Sequence, residues 1–180
     1  MDELALHVLD IVENSLAAGA DRIRIAVDED RRHNRLVIRI RDNGRGMSAR
    51  ALKRSMDPFY TTKTVRRIGL GLSLMAQACR AAGGRLDVRS TRGRGTSVRA
   101  EFVFDHIDRQ PLGNMALTVV NIMAAGGAGV DIAYEHKIAR RVFRFDTRAV
   151  RKIVPPETWR QPAVLNALCK RIEQALKSIS

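Results

Sequence analysis

The chain has 180 residues, 45% of them apolar and 4% aromatic, with 32 basic against 19 acidic side chains and a formal charge of +13. That length supports a real core, which small aliphatic side chains must largely fill. No apolar run approaches the roughly 20 residues of a membrane span, and Met1-Asp2-Glu3 is a poor start for a secretory signal, so the expected compartment is the cytoplasm. A positive surface suits anionic partners such as nucleotides, nucleic acid or an acidic protein face. Without a dense Lys/Arg run or interleaved aromatics, a dedicated nucleic-acid binder is the weaker reading. Cys79 and Cys169 lie far apart in apolar helical contexts, without ligand spacing, and read as buried free thiols.

In chain order, residues 2 to 18 form a helix closed by Gly19, with Val8, Leu9, Ile11, Val12 and Leu16 at three- and four-residue spacing. Arg22 to Asp28 alternates, placing Ile23, Ile25 and Val27 on one face. Leu36 to Asp42 also alternates, with Leu36, Ile38 and Ile40 inward. Ser48 is a plausible N-cap for a short polar helix. Leu70 to Ala82 is helical and ends at Gly83-Gly84. Two further strands, Arg85 to Ser90 and Ser97 to Phe104, flank the turn Arg92-Gly93-Arg94-Gly95. Paired strands between helices argue for an α+β layer with a largely antiparallel sheet. A boundary at 105–113 carries Pro111 and Gly113. Beyond it, 114–180 reads as a small α/β unit. It has a helix from Met115 to Ala124, strands Asp131 to Glu135 and Val142 to Asp146, and a helix from Pro162 to Ser178. The Met115 helix is apolar nearly all round, so it must be buried, whether against the first unit (1–104), in a homodimer or under a partner.

Three local patterns carry chemistry. Asp42 shares the parity of Leu36, Ile38 and Ile40, so its carboxylate should point inward, where it is costly without a donor. An adenine amino group is such a donor, and Gly44 and Gly46 would let the ring approach the backbone closely. On the first helix Glu3, His7, Asp10 and Asn14 line one stripe, and the Asn14 amide oxygen is a suitable Mg²⁺ ligand. Gly69-Leu70-Gly71-Leu72-Ser73 opens a helix whose free N–H groups favour phosphate. Ahead of it stand Thr61, Thr62, Lys63, Arg66 and Arg67.

In their order these pieces resemble the GHKL superfamily, the gyrase, heat-shock chaperone, histidine kinase and MutL ATPases, across residues 3 to 104. The stretch from Asp10 through Asn14 to Ile25 is similar to the N box, closest in wording to MutL. Asp42-Asn-Gly-Arg-Gly46-Met resembles the G1 box, and Asp57-Pro-Phe-Tyr-Thr-Thr-Lys63 the F box of histidine kinases. Gly69 to Ser73 resembles the G2 box, and Gly93-Arg-Gly-Thr96 the final glycine box. The resemblance implies a Bergerat-type sandwich, a mixed and mostly antiparallel sheet with helices on one face. It also implies ATP and Mg²⁺ as ligands. Asn14 would hold the metal. Asp42 would accept from adenine, helped by Gly46 and by Thr96 through water. Lys63 with Gly69, Gly71, Leu72 and Ser73 would hold phosphates under a mobile lid.

The departures matter as well. Asp10 stands where MutL- and gyrase-like members place a general-base Glu, and its carboxylate reaches one methylene less far. Ala17 replaces the Asp usual three residues after the Asn, the lid is short, and Ile68 sits at a small-residue position. The N box begins almost at residue 1, with no phosphoacceptor hairpin ahead of it, so the expectation is a stand-alone regulatory protein kinase like the anti-sigma kinases. An ATP-driven switch or weak ATPase in the MutL manner, and a nucleotide-sensing module without chemistry, are the alternatives. His106-Ile-Asp-Arg109-Gln-Pro111-Leu112 is similar to a kinase H box but follows the ATP-binding region, and a linker is the plainer reading of it.

Overall fold

A computed structural model describes residues 3–56 and 71–180. Helix α1 (Leu4–Ala17) is followed by strands β1 (Arg22–Asp30) and β2 (Arg35–Asp42), helices α2 (Ala49–Ser55) and α3 (Gly71–Ala81), then β3 (Arg85–Thr91) and β4 (Gly95–Val103). After a connecting segment come α4 (Met115–Gly126), β5 (Asp131–Ile138), β6 (Arg141–Asp146), a single turn α5 (Thr147–Val150) and α6 (Pro162–Ile179). Short α5 and the 3₁₀ turn Pro156–Thr158 went unforeseen, because neither has the periodicity of an amphipathic element.

The strands form one six-stranded sheet in the order β3-β4-β2-β1-β5-β6. All neighbours are antiparallel except β1 and β5, which run parallel with Arg22 opposite Asp131 and Glu29 opposite Ile138. Period-two burial separates the two faces of the sheet. Ile23, Ile25, Val27, Leu36, Ile38, Ile40, Val98, Ala100 and Phe102 are buried in one core with residues of α1, α3 and α4. Most of the alternate positions carry arginines, acidic residues or small side chains on the other face, where Val37 alone among those of β2 is buried. The interior is built mainly of Ile, Val, Leu, Ala and Met, as the composition requires.

The elements expected after residue 114 are present, and their strands extend the sheet begun by β1 to β4. Helix α4 buries Met115, Ala116, Val119, Val120, Ile122 and Met123 in that shared core, leaving Leu117 about half exposed. A polar clasp joins β5 to β1: the Tyr134 hydroxyl lies 2.7 Å from His136 Nδ1, and His136 Nε2 lies 2.8 Å from Glu29 Oε1. Segment 105–113 folds back onto the start of α1, where the first N–H groups of a helix lack intrahelical partners. The Leu4 and Ala5 amides donate to the Pro111 and Leu112 carbonyls at 3.0 and 2.9 Å. Cys79 is buried, and burial pushes its thiol up to about 12. Cys169 is only half-buried, because α6 packs on the body along one stripe. No helix among the described residues is long and apolar enough to cross a membrane.

Deleting everything after Phe104 strips β5 from β1, uncaps α1 and exposes the surface under α4. A 1–104 fragment is expected to melt well below the full chain and to bind an apolar dye. Thermal denaturation followed by circular dichroism checks this.

Candidate functional site

The parity of β2 does deliver Asp42 to the buried face, where the residue is only 8% exposed. Its donors come from three separate segments. Oδ2 accepts from the Ser15 hydroxyl of α1 at 2.8 Å. Oδ1 accepts from the Gly44 amide at 2.9 Å and from the Thr96 amide at 3.2 Å. The protein itself therefore compensates the buried charge, which sequence reasoning had assigned to a nucleobase. A carboxylate offers about four acceptor positions, so capacity for one more donor remains. Ser15 lies on the apolar stripe of α1 with Val8, Ile11 and Val12. A hydroxyl on such a stripe needs a partner, and that was the signal for it.

Asn43 fastens the loop after β2 to the turn between α1 and β1. Its Oδ1 accepts from the Asp21 and Arg22 amides at 3.1 and 2.9 Å, and its Nδ2 donates to Asp21 Oδ1 at 2.7 Å. The Arg45 amide adds a bond to the Ala18 carbonyl at 3.0 Å. Gly46, at φ +63°, packs so closely on the β3–β4 turn that a Cβ would lie 2.0 Å from the Thr91 carbonyl oxygen. Gly95, at φ +80°, leaves no more room: its Cβ would fall 2.1 Å from the Asp42 carbonyl oxygen. These glycines let two protein loops meet; the expectation had reserved the close approach at Gly46 for a ligand. Ser90 sits at the junction, accepting from the Met47 amide at 2.8 Å and donating to the Gly95 carbonyl at 3.1 Å. Its single proton is thereby used, so the Thr96 hydroxyl donates to it at 2.9 Å. Thr96 then presents acceptor lone pairs.

Asn14, Ser15, Ala18, Asp42, Gly46, Met47, Leu72, Thr96 and Val98 line a cavity of about 200 Å³. That is below the range of drug-sized pockets and suits a base-sized group. Apolar walls from Ile11, Met47, Leu72 and Val98 can flank a planar ring, with Asp42 and Thr96 as acceptors at its edge. The Asn14 side chain makes no hydrogen bond among the described residues, so its amide is available to a ligand.

Other expected residues are placed differently. The stripe Glu3, His7, Asp10 and Asn14 divides. Glu3 packs where a Cβ on Gly113 would lie 2.3 Å from its Oε2, and His7 Nε2 lies 2.9 Å from Gln110 Oε1. Both serve segment 105–113, and only Asn14 reaches the cavity. Asp10 lies one turn along α1 against the first residue of α3, with its Cβ 2.9 Å from where a Gly71 Cβ would stand. Asp10 is exposed, but partial desolvation on this side raises the pKa of its carboxyl, while the nearby His7 lowers it to a smaller extent. Ser73 is buried in the first turn of α3 and does not line the cavity. Lys63, Gly69 and the rest of 57–70, including the F-box stretch, lie outside the described residues. No cluster of three or more His, Cys, Asp or Glu side chains is placed to hold a metal among the described residues.

His106 lies beyond the far end of β4, and at the strand rise Thr96 to Val103 alone spans roughly 24 Å. Its Nδ1 accepts from the Asp108 amide at 3.1 Å. Arg109 donates to the Phe104 carbonyl and stacks on the Phe104 ring, over which Arg31 also lies. The H-box wording here is the wording of a structural strap, and within one chain His106 is out of reach of the cavity.

Residues 2–106 match the model of the histidine kinase-, DNA gyrase B-, and HSP90-like ATPases. Sensor protein kinase FleS of Pseudomonas aeruginosa is 41% identical over 95 residues, 53% of this chain and 23% of that protein. Sensor histidine kinase YxdK of Bacillus subtilis is 36% identical over 93 residues, 48% of this chain and 27% of that protein. The C4-dicarboxylate transport sensor protein DctB of Pseudomonas aeruginosa is 37% identical over 87 residues, 48% of this chain and 14% of that protein. The matched stretch thus spans about a quarter or less of each relative.

The raised pKa of Asp10 fixes the sign of its effect on stability. The folded state holds this proton more tightly than the unfolded chain, so the contribution is present at low pH and lost as pH rises through the folded pKa. Asp10→Asn should therefore melt slightly above the native chain at pH 7, and the gap should close as pH falls below the ordinary carboxylate range. Melting curves across pH measure this.

Proposed function

The chain belongs to the histidine kinase-, DNA gyrase B-, and HSP90-like ATPases and contains an ATP-binding, kinase-like domain; on that premise we propose that it binds Mg-ATP or ADP with Asp42 accepting from the adenine amino group, and that it phosphorylates a partner protein in the manner of a regulatory kinase. The observation that carries the reading is the buried Asp42 carboxylate, held by Ser15, Gly44 and Thr96 at the wall of a base-sized cavity. In this reading the ring lies between Met47 and Leu72, and the Thr96 acceptor orders a bridging water. Asn14, whose amide is uncommitted, supplies a metal ligand. Bound Mg²⁺ would neutralise phosphate charge and tie the phosphates to protein oxygen. By the family resemblance Lys63, Gly69, Gly71, Leu72 and Ser73 would hold the phosphates, Gly71 to Ser73 from the first turn of α3.

Asp42→Asn tests the base assignment without dismantling the fold. Its amide oxygen can still accept from Gly44 and Thr96. Its NH₂ can donate to the Ser15 oxygen, whose proton turns to the Ile11 carbonyl, already 3.2 Å away. The variant should fold but lose about 1.5–3 kcal/mol of ATP and ADP affinity, the scale of a charge-assisted bond. Titration calorimetry reads this, and unchanged affinity would remove Asp42 from the site.

A second reading, an ATP-driven switch with weak hydrolysis, is favoured by one observation: Asp10 stands one turn before Asn14 on α1, solvent-exposed but partly desolvated, so that its carboxyl pKa is raised. Asp10→Glu should then speed phosphate release, and Asp10→Asn should slow it by about 10²-fold or more. Two variants that match the native rate would take Asp10 out of the chemistry. With γ-labelled ATP in host extract, label on a second protein supports the kinase reading and label released as phosphate supports the switch.

A further inference from the structure

The sheet face opposite the helices carries a charge arrangement that nucleotide binding does not use. Arg24 on β1 lies directly opposite Arg41 on β2, and Arg39 follows Arg41 two residues earlier on the same face. Directly opposed side chains have Cβ atoms about 5 Å apart, and like charges there are destabilising. All three arginines are exposed, and none makes an ion pair or hydrogen bond among the described residues. Nearby cations are neutralised: Arg99 and Arg85 bind Glu101, Arg89 binds Asp87, Arg144 binds Glu135, and Lys137 lies 3.7 Å from Asp28. Small residues face the unpaired three on one side, Ala133 opposite Arg24, Ala26 opposite Arg39 and Ser97 opposite Arg41, while on its β4 side Arg39 faces Arg99, which Glu101 neutralises. The result is a shallow floor with three free guanidinium groups above it.

We propose that this patch is a docking site for a partner protein that presents a compact group of two or three carboxylates ringed by basic residues. The width of the patch selects that chemistry. Free positive charge covers two neighbouring strands, about 5 Å apart, and Asp87 and Glu101 on one side and Glu135 on the other bound it. A continuous polyanion such as a nucleic acid or a lipid surface would run its charges over those acids. Among the described residues the face also offers no aromatic platform for bases to stack on. The three heads stand on separate positions about 5 to 7 Å apart, which matches carboxylates two apart on a strand or three to four apart on a helix. Arg pairs with each in bidentate fashion. Arg41 and Asp42 are consecutive and point to opposite faces of β2, so the partner would sit directly behind the nucleotide cavity without touching it.

The test uses the full chain and a dye-labelled twelve-residue peptide with three alternate glutamates flanked by lysines. A twelve-nucleotide single-stranded DNA and a peptide with phosphoserine for the glutamates serve as competitors. The triple variant Arg24→Gln/Arg39→Gln/Arg41→Gln should weaken glutamate-peptide binding by at least about tenfold at low salt, where such contacts are least screened. It should keep native ATP affinity and melt no lower than the native chain, because repulsion has been removed. Peptide-induced amide shifts should centre on β1 and β2. Equal binding to the triple variant, tighter binding of the DNA or the phosphopeptide, or shifts confined to another surface would overturn the proposal. Loss of melting temperature in the variant would also overturn it, by giving the arginines a structural role.

Discussion

A carboxylate carried to the inner end of a strand must be paid for in hydrogen bonds, and Asp42 collects three, one from its own loop and two from segments distant in sequence. Ser15 comes from the last turn of α1, Gly44 from the loop after β2, and Thr96 from the start of β4. Satisfying that one group fixes how α1, β2 and β4 meet, and the cavity is the space left between them. The surrounding bonds of Asn43 and Ser90 extend the same arrangement outward. They hold the α1–β1 turn and the β3–β4 turn against the loop that follows β2. Removal of a donor would leave a buried acceptor short of a partner, which typically costs about 1–3 kcal/mol. The site is thus part of the fold's own bonding and not an attachment to it.

The two faces of the sheet divide its work. One packs beneath the helices and forms the core that includes the wall of the cavity. The other keeps its arginines in solvent, mostly balanced by neighbouring acids, with the Arg24, Arg39 and Arg41 group left over. A short strand such as β2 can therefore contribute a buried nucleotide-reading group and a surface cation at adjacent positions. Period-two alternation is what keeps the two apart.

The last third of the chain completes the structure begun by the first. Strand β1 would be a long exposed edge if β5 were missing, and such edges invite pairing with other chains. Segment 105–113 supplies carbonyls to the uncapped start of α1, and α4 covers α1 with an almost wholly apolar surface. The Tyr134–His136–Glu29 clasp then adds a satisfied polar link to a junction otherwise made of aliphatic packing.

Much of this was legible in the residues themselves. Alternation located the strands, gave Asp42 its inward direction and left the arginines outside, because side-chain parity is a local property of extended chain. Motif order identified the family, and helix periodicity placed α1, α3, α4 and α6 to within a few residues. What the sequence could not supply was the identity of the groups that meet. Ser15, the Thr96 amide and Asp42 are far apart along the chain, and nothing local says that their bonds close on one another. The need for Gly46 and Gly95 appears only when two loops are seen to touch. The parallel pairing of β5 with β1 depends on which sheet edge is open, and the division of the α1 stripe depends on where segment 105–113 returns. Parity and periodicity are set by neighbours in sequence, whereas pairing and satisfaction are set by neighbours in space, and only the tertiary structure decides those.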